Sequence, residues 1–142
     1  MVKLKTFDTI LLLILILLVF LWVANPFKQV AKGKADVEII SFDDRVSYKL
    51  CKNGTVNAEI WIKNVGDATA YNITCYVRSR NQDGIVLFDG TVHITSKVLR
   101  PNETCTGFFY FNLMKNDTKI FHTIEITWNS GRSIHSEMTL IL

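Results

Sequence analysis

The sequence predicts an all-β protein, an antiparallel β-sandwich of seven or eight strands preceded by one N-terminal transmembrane helix. Three observations carry this expectation. Residues Ile10 to Ala24 are apolar, without a charge or a glycine. Beyond Ala35 the apolar residues recur at every second position, the period of strands with one buried and one wet face. Turn-forming clusters interrupt that alternation at short intervals, with no helical pattern between them. The expected organisation is a short stub and anchor over 1–27, a stalk over 28–34, and one sandwich domain over 35–142.

The anchor comes first. About fifteen residues at roughly 1.5 Å each make ~22 Å of helix, short of a hydrocarbon core of ~30 Å. Extending the helix from Thr6 to Phe27 closes the gap, with Lys5 and Lys28 snorkelling outward and Trp22 and Phe27 near an interface. Pro26 then limits the helix. A cleaved signal peptide shares the basic start and apolar middle, but Trp22-Val23-Ala24 puts a bulky ring where cleavage needs a small side chain. A retained anchor is the expectation. Lys3 and Lys5 on one side balance Lys28, Lys32 and Lys34 on the other, so the positive-inside rule does not orient it.

The strands follow in order. A first begins near Asp36. In Thr55 to Lys63, Val56, Ala58, Ile60 and Ile62 face one way, and Asn57, Glu59, Trp61 and Lys63 the other. Tyr71, Ile73, Cys75 and Val77 alternate with Asn72, Thr74, Tyr76 and Arg78. Thr104 to Leu113 is apolar on both parities, which predicts a central strand. Ile124, Ile126 and Trp128 alternate with Thr123, Glu125 and Thr127. The last strand, Arg132 to Leu142, places Ile134, Met138, Leu140 and Leu142 on one parity, expected to be its buried face. Asp83-Gly84 and Ser130-Gly131 read as hairpin turns.

The segment from Val56 to Thr74, with its Asn64-Val65-Gly66-Asp67 turn between alternating strands, resembles the core of CARDB-type and FxLYD-type immunoglobulin-like domains. Asp83-Gly84-Ile85-Val86 and Leu99-Arg100-Pro101-Asn102-Glu103-Thr104 are similar to their later hairpin and proline turn. The resemblance covers about Val37 to Trp128. It departs at Tyr76-Val77-Arg78-Ser79, which stands where the FxLYD signature would fall. It implies an Ig-like sandwich of the kind that holds or presents other molecules, and it brings no catalytic residues.

Four Asn-x-Ser/Thr acceptors, Asn53, Asn72, Asn102 and Asn116, lie beyond the anchor and favour a glycosylated domain facing outside. Cys51, Cys75 and Cys105 then allow one disulfide, its pair unassigned, and leave one thiol. Cys75 and Cys105 lie on apolar parities and serve equally well as small buried hydrophobes. Trp61, Tyr76 and Tyr110 are candidates for an aromatic contact patch, weighed against packing along a sheet face.

A formal net charge of +3 is too small to argue for nucleic acid. His93, His122 and His135 are isolated in sequence and none has a ligand spacing, so structural roles are expected rather than a metal site. Asp43-Asp44 reads as a solvated turn. No phosphate loop or nucleophile elbow appears, and no cofactor or small-molecule substrate is implied. The expected function is that of a non-enzymatic module, held by a single membrane span, that binds a protein, glycan or cell-wall component at the cell surface. The alternative is a structural, stator-like subunit of a pilus-like machine.

Overall fold

The computed structural model describes residues 10, 11, 14–17, 33–44 and 54–141. Residues 10, 11 and 14–17 are helical and exposed. Most of the expected anchor lies outside the described residues, as do Cys51, Asn53 and Leu142. Among the described residues no helix is long and apolar enough to cross a membrane.

From Gly33 onward the alternating sequence forms one unit of antiparallel strands. They are β1 (Val37–Asp43), β2 (Thr55–Asn64), β3 (Thr74–Asn81), β4 (Val86–Ile94), β5 (Thr104–Asn112), β6 (Lys119–Trp128) and β7 (Gly131–Leu140). The hydrogen-bonded order is β1-β2-β5-β4-β3-β6-β7. Strand β4 changes partner along its length. Its residues Val86 to Val92 pair with β3, and His93 and Ile94 pair with β5. The sheet therefore folds over at β4 into a sandwich approaching a barrel, with β1, β2 and β5 facing β3, β6 and β7.

The core is made by the inward parities. Val56, Ala58, Ile60 and Ile62 of β2 meet Cys75 and Val77 of β3 and Ile120, Ile124 and Ile126 of β6, all essentially without exposure. Each buried isoleucine contributes about 2–3 kcal/mol by removal from water. Phe42, Phe88, Phe109 and Phe111 close one end, with ring centroids 4.8 to 6.3 Å apart along the chain of phenyl contacts.

Two buried asparagines organise the turns. Asn64 Nδ2 donates to the Ala68 and Leu99 carbonyls at 2.7 and 2.9 Å, and its Oδ1 accepts from the Gly66 and Asp36 amides at 3.0 and 3.2 Å. A fully satisfied side chain thus ties the turn after β2 to two other segments. Gly66 is required there because a Cβ would overlap the backbone of Lys34 to Asp36. At the other end, Asn81 Oδ1 accepts from the Asp83 and Ile85 amides, and its Nδ2 donates to Asp117 at 2.8 Å.

The structure corrects three expectations. Strand β3 starts at Thr74 rather than Tyr71, because Asn72 takes a left-handed φ of 54° that breaks the extended chain. The last hairpin turns through Asn129 and Ser130, with Trp128 opposite Gly131, whose missing Cβ leaves room for the indole ring. The third concerns β7. Its apolar parity faces solvent, with Ile134, Met138 and Leu140 at 54, 51 and 53% exposure, while Ser133, His135 and Thr139 take the more covered side.

Candidate functional site

Pairing of β3 with β6 sets Tyr76 opposite Glu125, Arg78 opposite Thr123 and Arg80 opposite Phe121, all on the outer face. Together with Gln82 and Gly84 of the β3–β4 turn, these side chains line an open groove of about 720 Å³. Gln82 is held as the groove's end wall, its Oε1 accepting from the Thr118 amide at 3.0 Å.

Asp89 of β4 organises one flank. It accepts a hydrogen bond from the Tyr76 hydroxyl and a forked pair from Arg78, at 3.0 Å from Nε and 3.0 Å from an Nη. The Tyr76 hydroxyl, followed by the Arg78 guanidinium, holds the Asp89 carboxyl below the usual carboxylate range. Asp89, followed by Tyr76, in turn raises the Arg78 pKa. On the other flank Arg132 pairs with Glu125 at 2.9 Å. Arg80 makes no ion pair among the described residues, although its charge also helps to hold the Asp89 carboxyl down, and it lines the groove opposite Phe121. The groove therefore offers a planar cation outside any close ion pair among the described residues, two aromatic rings, a hydroxyl and a carboxylate, a set suited to polar, acid-bearing guests.

A second outer face carries aromatics. Trp61 of β2 and Phe108 and Tyr110 of β5 are 41, 50 and 65% exposed. Phe108 lies opposite Glu59 and Tyr110 opposite Asn57, beside a shallow hollow of about 340 Å³. Of the three aromatics singled out from the sequence, Trp61 and Tyr110 share this face. Tyr76 belongs to the groove on β3 instead. Phe108 completes the patch, and its place on the polar parity of a strand apolar on both sides was the available signal.

The histidines diverge. His93 is exposed on β4, and His135 contacts Glu137 at 2.9 Å on β7. His122 is buried, with Nδ1 2.8 Å from Ser79 Oγ and Nε2 3.2 Å from Asp44 Oδ2. This serine–histidine–aspartate line resembles a triad in composition only. It runs through the opposite ring nitrogens, Ser79 has no exposed surface, and Phe42, Phe109 and Phe111 surround the imidazole. It fastens the end of β1 to β3 and β6, and makes Asp44 a buried partner rather than a solvated turn residue. Among the described residues no group of three or more acidic, histidine or cysteine side chains could hold a metal ion.

Of the glycan acceptors, Asn72, Asn102 and Asn116 are exposed. Asn72 and Asn102 occupy left-handed backbone positions at turns. Cys75 and Cys105 are buried free thiols. Burial, then the neighbouring Cys105, pushes the Cys75 thiol up to about 12, which makes it inert.

No protein-family model matches this sequence, and no curated protein matches it significantly. Solved structures share its fold. The C-terminal domain of Wzt aligns with a TM-score of 0.52 at 10% identity, over 78% of this chain and 75% of that one. The putative ApaA protein from Bordetella pertussis aligns with a TM-score of 0.54 at 14% identity, over 78% of this chain and 97% of that one. At such identities the likeness is one of fold.

Proposed function

We propose that this chain is a membrane-anchored cell-surface module of Ig-like architecture that contacts another envelope component through the outer face of β3 and β6. The groove carries this reading. It presents Arg80 beside Phe121, with Tyr76 and Arg78 held ready by Asp89, and it suits an envelope glycan or protein bearing acidic groups. The Ig-like reading draws on strand order, since β1-β2-β5 and β3-β6-β7 match the A-B-E and C-F-G sets of such sandwiches, while β4 pairs mainly with β3 and only at His93 and Ile94 with β5. The apolar run Ile10 to Ala24 and the exposed acceptors Asn72, Asn102 and Asn116 support the anchor and the outward orientation.

The test pairs location with binding. An impermeant amine reagent applied to intact cells is expected to label Lys97, Lys115 and Lys119. The detergent-solubilised full chain is expected to sediment with isolated envelopes, and Arg80→Glu to reduce its retention about tenfold. Equal retention of wild type and Arg80→Glu would remove the groove from the function. The second reading, a stator-like subunit of a pilus-like assembly, draws on the exposed apolar parity of β7 and predicts stoichiometric membrane partners on purification.

A further inference from the structure

Strand β7 is a ten-residue edge whose amphipathicity is reversed. Among the described residues it pairs only with β6, over its full length from Trp128↔Gly131 to Lys119↔Leu140. The closing pair of a two-residue hairpin exchanges both of its backbone hydrogen bonds, and such pairs recur at every second position. Odd-numbered β7 residues therefore spend their backbone groups on β6. Arg132, Ile134, Ser136, Met138 and Leu140 direct theirs to the edge with which no described strand pairs. The same even-numbered residues carry the exposed apolar side chains, so both kinds of unsatisfied surface coincide.

We propose that this edge pairs with β7 of a second copy of the same chain, antiparallel, about a two-fold axis through Ser136. The register is selected by the sequence. Centred on Ser136, every residue from Arg132 to Leu140 finds a partner. Ile134 meets Met138 of the second copy and Met138 meets Ile134, both on the outer face. His135 meets Glu137, and Ser133 meets Thr139, on the other. Moving the centre one residue back sets His135 against His135 and leaves no imidazole facing a carboxylate, and one residue forward sets Glu137 against Glu137, which like charges oppose. The imidazole and carboxylate already attract within one chain at 2.9 Å, so the same pair across the axis needs only a change of partner.

Pairing in this register makes one continuous outer face of β3-β6-β7 and its symmetry mate. A single row then runs Arg80, Phe121, Met138 of one copy into Ile134, Glu125, Tyr76 of the other, joining two grooves. At about 4.8 Å per strand, the two β3 strands stand roughly 24 Å apart, a spacing that favours a bivalent or repeating guest.

The experiment uses the full chain in detergent, because other parts of it could associate by themselves. In a Cys51→Ser background, Ser136→Cys is expected to give a disulfide-linked dimer on mild oxidation. Thr123→Cys, one strand inward from the edge, is expected to give none, since its symmetry mate lies beyond disulfide reach. Sedimentation of unlinked protein supplies the second readout. His135→Glu is expected to weaken the dimer about tenfold, and the swap His135→Glu with Glu137→His to restore it. Circular dichroism confirms that each variant is folded. A Ser136 adduct forming no faster than the Thr123 adduct overturns the proposal, as does a swapped variant no tighter than the single one.

Discussion

Strands β2 and β7 are both ten residues long, and both carry their aliphatic side chains on one parity only. In β2 the apolar parity is buried to 0–1% exposure from Val56 to Ile62. In β7 the apolar parity is about half exposed. The difference follows from position. Strand β2 lies between β1 and β5 with the opposite layer over its inner face, whereas β7 ends the hydrogen-bonded order among the described residues. Alternation reports that a strand has two unlike faces. It does not report which face the fold covers.

Substitutions at matched positions sharpen the contrast. Ile60→Ala in β2 is expected to cost about 4 kcal/mol in denaturant unfolding, since the site is closed on every side. His122→Ala comes next, at about 3 kcal/mol, because it opens space beneath Phe42 and Phe111 and strands Ser79 and Asp44. A loss below about 1 kcal/mol would mean that water replaces the imidazole.

The Cys75 thiol gives a pH test of how dry the inner face is. The unfolded thiol ionises near 9, and the folded one is held neutral until about 12. Stability from this group is therefore complete below pH 9 and falls as pH rises from 9 towards 12, by up to about 1.4 kcal/mol per unit. Cys75→Ala should flatten that slope in urea titrations across the same window.

Ile134→Ala in β7 is expected to change unfolding by less than about 0.5 kcal/mol while weakening self-association. A loss as large as that at Ile60 would show that the apolar face of β7 is covered within one chain. The smallest expected effect is at Asp89. Its depressed pKa means that its hold on Tyr76 and Arg78 is present above the ordinary carboxylate range and is lost as pH falls through the folded value. Asp89→Asn should free the Tyr76 ring in NMR spectra without moving the unfolding midpoint.

The groove was only half legible in the sequence. Alternation placed Tyr76 and Arg78 on the wet parity, but Phe121, Thr123 and Glu125 reach them from some forty-five residues away through the β3–β6 register. Trp61 and Tyr110 share one outer face, and Tyr76 stands apart from them because β4 lies between its strand and β5. The buried Ser79–His122–Asp44 line had no local signature at all, since its members come from three segments.

By itself the sequence determined the all-β class, the positions of most strands and turns, and the identity of the β2, β3 and β6 core residues. Those features depend on local φ/ψ preference and on a period of two, which a few consecutive residues set. Only the tertiary structure decided strand order, the sorting of outward side chains into a groove and a separate aromatic patch, and the reversal of β7. Each of these depends on which distant strand lies alongside, and that is set by the summed burial of the whole core rather than by any segment's own pattern.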